Sequence, residues 1–76
     1  MKGRLPNRLR VIRAERGITQ VDLALKAGLS PARYWKIENA VPPEANADER
    51  SALARALRTG QQHIWPELKS AVKAAS

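Results

Sequence analysis

Between Ala27 and Ala32 the sequence stops one helix and starts another. Gly28 suits a left-handed exit, and Ser30-Pro31 supplies a capping hydroxyl followed by a residue preset for a first helical turn. With so short a connection the two helices must meet at a sharp angle, which excludes a strand crossover or a long loop there. Upstream, Thr19 followed by Asp22 resembles a capping box, so the earlier helix is predicted from about Gln20 to Ala27 and the later one from about Pro31 to Asn39. The apolar set Ile18, Leu23, Ala24, Ala27, Leu29, Tyr34 and Ile37 is expected to fix their angle, with small Ala24 and Gly28 permitting close approach.

The remaining chain reads as helices too. Leu5, Leu9 and Ile12 recur at helical spacing, with Pro6 suited to a first turn and Gly17 to a stop, which predicts a helix from Pro6 to Arg16. Pro42 and Pro43 make Ala40 to Ala45 a loop, because proline lacks the amide donor and disfavours helical geometry before it. Asn46 and Glu49 form a further cap pair ahead of Leu53 and Leu57, giving a helix over about Ala47 to Arg58 with Gly60 beyond its end. Gln61 to Trp65 suits a short helical turn, with Ile64 and Trp65 as a lid on the core, and Pro66 opens a final helix to about Ala74.

The expected fold is therefore all-α, a compact arrangement of four to five helices. Residues 1–5 read as a basic arm, 6–65 as the folded domain and 66–76 as a partly disordered helical extension. A chain of 76 residues without cysteine has room for one small core and no disulfide or thiolate-metal support, so helix packing must stabilise it. No apolar run approaches the ~20 residues of a membrane span, and no signal-type stretch follows the basic start. A cytoplasmic protein without membrane contact is expected.

The formal charge is +7, and it is unevenly placed. Residues 1–40 carry nine basic side chains against three acidic, a balance of +6, whereas 41–76 carry five against four, a balance of +1. An anionic partner, nucleic acid above all, is expected at the first half. Enzyme chemistry is not expected: His63 is the only histidine and no cysteine or glycine-rich phosphate loop accompanies it. The carboxylates Glu44, Asp48 and Glu49 cluster around a helix start, where capping explains them better than metal binding. No cofactor is implied.

The pair of short helices has the layout of a helix-turn-helix, in which the second helix enters the major groove of DNA. At about 100° per residue, Tyr34 and Ile37 mark the inward face of the second helix, so Ala32, Lys36 and Asn39 line the opposite side. Trp35 borders that stripe on one side and Arg33 on the other.

The run LRVIRAERGITQVDLALKAGLSPARYWKIENA resembles the lambda-repressor and Cro (XRE) family of DNA-binding domains. The resemblance is carried by Leu9, Arg13, Gly17, Thr19-Gln20, Leu23-Ala24, Gly28, Ser30, Ile37, Glu38 and Asn39, and Ile64-Trp65-Pro66 is similar to the close of small phage-type regulators. It implies a bacterial or phage-encoded transcriptional regulator associated with the nucleoid, acting on double-stranded DNA as a homodimer and as a repressor. It also implies that Gln20 and Asn39 meet phosphates, that Pro31, Ala32 and Lys36 meet base edges, and that Arg13 and Glu38 form an ion pair. Arg33 is a base or a phosphate contact.

The sequence departs from the family in three places. Ala40 stands where glycine is usual, so the left-handed exit is expected to fall on Asn39 or be replaced by another turn. The following loop holds Glu44 and no basic residue, leaving Lys2, Arg4, Arg8 or Arg10, and Arg50, as candidates for the missing phosphate contacts. Val21 and Leu25 occupy positions that are usually polar; with Trp35 they are a candidate patch for a protein partner. Two alternative functions follow, an interaction adaptor on the same scaffold and an antitoxin that binds both DNA and a toxin. Leu68 and Val72 are the candidates for a dimer interface.

Overall fold

A computed structural model describes residues 7–66, and every element among them is helical: α1 (Leu9–Arg16), α2 (Gln20–Lys26), α3 (Pro31–Glu38), α4 (Ala47–Leu57) and α5 (Gln61–Ile64). Pro6, the basic arm with Lys2 and Arg4, the helix expected beyond Pro66, and Leu68 and Val72 within it lie outside the described residues, apart from Pro66 itself.

Three helices begin on the caps expected of them. The Thr19 hydroxyl accepts from the Asp22 amide at 3.0 Å and the Ser30 hydroxyl from the Arg33 amide at 3.0 Å. Asn46 and Glu49 close a reciprocal box, each side chain accepting from the other's backbone amide. These bonds satisfy amide donors that a helix start otherwise leaves unpaired. α1 differs, beginning at Leu9 rather than Pro6. Buried Asn7 accepts from the Leu9 amide at 3.0 Å and donates to the Ile37 carbonyl at 3.0 Å, so a tertiary contact to the end of α3 sets where α1 starts.

Four helices end the same way, with the amide after the left-handed residue reaching back to form a six-to-one hydrogen bond. The bonds run from Ile18 to Arg13, Leu29 to Ala24, Val41 to Lys36 and Thr59 to Ala54. Glycine takes the left-handed position in two of them, Gly17 at φ 65° and Gly28 at φ 73°. A Cβ at Gly28 would meet nothing within 4 Å, so this glycine serves the turn and not the close helix approach expected of it. In the other two the position falls on Ala40 (φ 58°) and Arg58 (φ 54°). The expectation for Asn39 is corrected: it stays at φ −97° and the residue after it turns, although a side chain there costs about 1–2 kcal/mol. Gly60 lies beyond the end of α4, as expected, and precedes α5 with φ −77°.

The core gathers Leu9 and Ile12 of α1, Leu23 and Ala24 of α2, Tyr34 and Ile37 of α3, Leu53, Ala54 and Leu57 of α4, and Ile64 of α5. Ile18, Ala27 and Leu29 pack against it from the turns, and Trp65 covers one side while partly buried. The Arg8 amide donates to the Ile64 carbonyl at 2.9 Å, joining the start of α1 to the end of α5. The consequence is that α3 is held from behind and presents its far side outward.

Candidate nucleic-acid interface

Glu38, at the last turn of α3, is the buried polar centre of the domain, with its side chain 1% exposed. Its Oε1 accepts from Arg13 Nε at 2.8 Å and from the Tyr34 hydroxyl at 2.7 Å, and its Oε2 accepts from the second Arg13 nitrogen at 3.2 Å and from Gln20 Nε2 at 2.9 Å. Four donors match the acceptor capacity of one carboxylate. Arg13 also donates to the Ile18 carbonyl at 3.0 Å, so this one network fastens α1, the turn after it, α2 and α3.

The charge states follow from that geometry. Burial pushes the Glu38 carboxyl up, but the hydrogen bonds from Arg13, Tyr34 and Gln20 outweigh it and hold the group below the ordinary carboxylate value. The bond to Glu38 raises Arg13, and burial followed by the same carboxylate pushes the Tyr34 phenol up. At neutral pH the centre is an ionised carboxylate facing a cation and a neutral phenol.

A second ion pair lies on the other flank of α3. Arg33 binds Glu49 through two parallel hydrogen bonds, at 2.8 and 2.7 Å, and donates to the Pro43 and Glu44 carbonyls at 2.9 and 3.2 Å. This fork ties α3 to the start of α4 and to the proline loop between them. Arg33 is raised, and Glu49 lowered, chiefly by the bond they share. In the sequence Glu49 reads only as a cap; its second role arises because the loop returns the chain to α3, a contact with no local periodicity to announce it.

The other residues expected at phosphates are also engaged. Arg10 donates to Asn39 Oδ1 at 3.0 Å and lies 3.6 Å from Glu38 Oε2, while Asn39 Nδ2 donates to the Trp35 carbonyl at 2.9 Å. Gln20 spends its amide on Glu38, and Arg50 donates to the Ala45 carbonyl at 2.7 Å. Arg10, Gln20 and Asn39 thus converge near Glu38, whereas Arg50 stands apart with the proline loop.

Pro31, Ala32 and Lys36 are exposed on α3. Among the described residues the Lys36 ammonium has no hydrogen bond or ion pair, in contrast with the Arg33 guanidinium on the same helix. An open groove of about 500 Å3 runs along this side, bordered by Ser30, Ala32, Arg33, Lys36 and Glu49. Val21, Leu25 and Trp35 are 50%, 66% and 50% exposed.

A family model described as a helix-turn-helix domain matches residues 4–64, a span that includes the five helices of the described residues and the Glu38 and Glu49 ion pairs. The chain belongs to that family. Helix-turn-helix domains bind DNA in regulators and are typically non-enzymatic, which makes DNA the partner class of the family. A search of curated proteins returns no similar sequence. Among the described residues no helix is long and apolar enough to cross a membrane.

Proposed function

We propose that this helix-turn-helix domain is a sequence-specific double-stranded DNA-binding transcriptional regulator, acting as a repressor by setting α3 into the major groove. The observation that carries the reading is the contrast along α3: Lys36 and Ala32 project outward one turn apart, while Arg33 and Glu38 are held by internal partners. Lysine donates to guanine O6 and N7, and an alanine methyl meets a thymine methyl. Pro31 adds apolar contact at the helix entry. Asn39, Gln20 and Arg10 sit together at the base of the helix as phosphate contacts, and Arg50 supports the backbone from the loop side. Arg33 is left out of the base-reading set, because using it would break four hydrogen bonds to Glu49, Pro43 and Glu44.

In this reading a homodimer places two copies of α3 in successive major grooves, roughly 34 Å apart on one face of a palindromic operator. The regulator acts in a bacterial or phage-infected cytoplasm and blocks polymerase at the occupied site. Selection from a random duplex pool tests it: recovery of a palindrome whose affinity falls steeply with salt supports the reading, and a purified chain indifferent to every duplex at low ionic strength refutes it.

A second reading is favoured by the exposure of Val21, Leu25 and Trp35, in which the same scaffold binds another protein as an adaptor or antitoxin. Co-purification with a partner protein that Lys36→Ala leaves undisturbed, and that Leu25→Ser abolishes, distinguishes it.

A further inference from the structure

We infer, resting on the DNA reading above, that this domain selects its duplex chiefly by thymine 5-methyl groups placed beside one guanine-directed contact. The argument is a subtraction along α3. Of its eight residues, Tyr34, Ile37 and Glu38 are buried in the scaffold. Arg33 directs its guanidinium to Glu49 and to the Pro43 and Glu44 carbonyls. Pro31, Ala32, Trp35 and Lys36 remain exposed, three apolar side chains and one cation.

The polar neighbours at either end of the helix do not change that balance. The Ser30 oxygen faces the Arg33 amide as a cap, and Asn39 uses both ends of its amide, toward Arg10 and toward the Trp35 carbonyl. Gln20 donates to Glu38. In the major groove the thymine methyl is the one apolar group that a base edge offers, so an apolar reading surface discriminates by that methyl. Lys36 supplies the complementary polar contact, to guanine O6 and N7.

The spacing constrains where these bases lie. Ala32 and Lys36 are four residues apart on one face, a separation of about 6 Å along the helix axis, which is about two base-pair steps of duplex. Trp35 stands one turn beyond Pro31 on the adjoining face, giving an apolar pair beside the Ala32 and Lys36 pair. A half-site should therefore hold a guanine with thymines within about two steps of it.

The test uses the full chain and the tightest duplex recovered from a random pool, with each thymine replaced in turn by deoxyuracil, which deletes the 5-methyl and keeps the pairing. Removal of a contacted methyl is expected to weaken binding about fourfold, at one or two positions in each half-site and nowhere else. Ala32→Gly should weaken binding to the thymine duplex by a similar factor and become indifferent to uracil at one position while keeping the penalty at any other. Because glycine also loosens a helix, Ala32→Ser accompanies it, with the same loss of sensitivity expected and a melting curve to confirm folding. If a duplex is recovered but every uracil substitution is neutral, or if both variants keep the full uracil penalty, this inference is overturned and the DNA reading stands. If no duplex is recovered, the DNA reading itself fails.

Discussion

The two flanks of α3 each carry an arginine–carboxylate pair with twin hydrogen bonds, yet they sit in different surroundings. Glu38 is 1% exposed and its partner Arg13 is 16% exposed, whereas Arg33 and Glu49 are 21% and 15% exposed. On the first flank the carboxylate has its oxygens filled by three residues from three helices, so deleting a partner strands a buried charge. On the second, water can reach both partners, and the loss of the pair is softened by solvation. The comparison teaches that similar geometry does unequal work: the Glu38 pair holds the three helices together, while the Arg33 pair places the loop beside the helix that faces outward.

The sharpest way to break this comparison is Arg13→Ala. It leaves the Glu38 carboxylate buried with fewer donors and is expected to cost about 3–5 kcal/mol. In a domain of this size that lowers Tm by more than about 12 °C, measurable by circular dichroism. An unchanged Tm would mean that the pair holds nothing. The same centre governs acid sensitivity. Since folding lowers the Glu38 value, its stabilisation is fully present above the ordinary carboxyl value of 4.5 and fades as pH falls through the lower folded value. Urea midpoints taken from pH 6 down to 3 should fall in wild type and fall less in Glu38→Gln, from a lower starting stability.

Lys36→Ala probes the space between the flanks. It should cost about 1–3 kcal/mol of DNA affinity, concentrated at one base position, with Tm unchanged; anisotropy titrations against single-base operator variants read both parts. Equal weakening on every sequence would reduce Lys36 to a phosphate contact.

Ala40→Gly removes a Cβ from a left-handed position and should stabilise the domain by about 1 kcal/mol in urea denaturation. A destabilised variant would show that the turn is held by something other than backbone conformation. The smallest effect is expected from Arg33→Ala, a loss of stability under about 1 kcal/mol, because solvent screens the pair. A loss equal to that of Arg13→Ala would erase the difference between the flanks.

Local signals in the chain made much of this architecture readable. Thr19, Ser30 and Asn46 announce helix starts because a cap acts over three residues, and Gly17 and Gly28 announce exits because glycine alone turns left-handed without strain. The exits at Ala40 and Arg58 are hidden because their residue types oppose the conformation they adopt, which the backbone bonds from Val41 to Lys36 and from Thr59 to Ala54 close. Asn7 was equally silent, since its role depends on a carbonyl 30 residues away.

The candidate interface divides along the same line. The outward placing of Ala32 and Lys36 follows from helical period alone, so it was legible. The capture of Arg33 by Glu49, 16 residues on, requires knowing how the proline loop folds back, and charge pattern along the chain does not encode that. What tertiary structure adds is a count of which polar groups are already spoken for.

The most direct measurement is an amide NMR titration of the full chain with a duplex recovered from the random pool. The account predicts that the largest shifts fall on the exposed stretch of α3 around Ala32 and Lys36, with smaller ones at Gln20 and Asn39. Shifts confined to Val21 and Leu25, or spread evenly with no focus on α3, would contradict it.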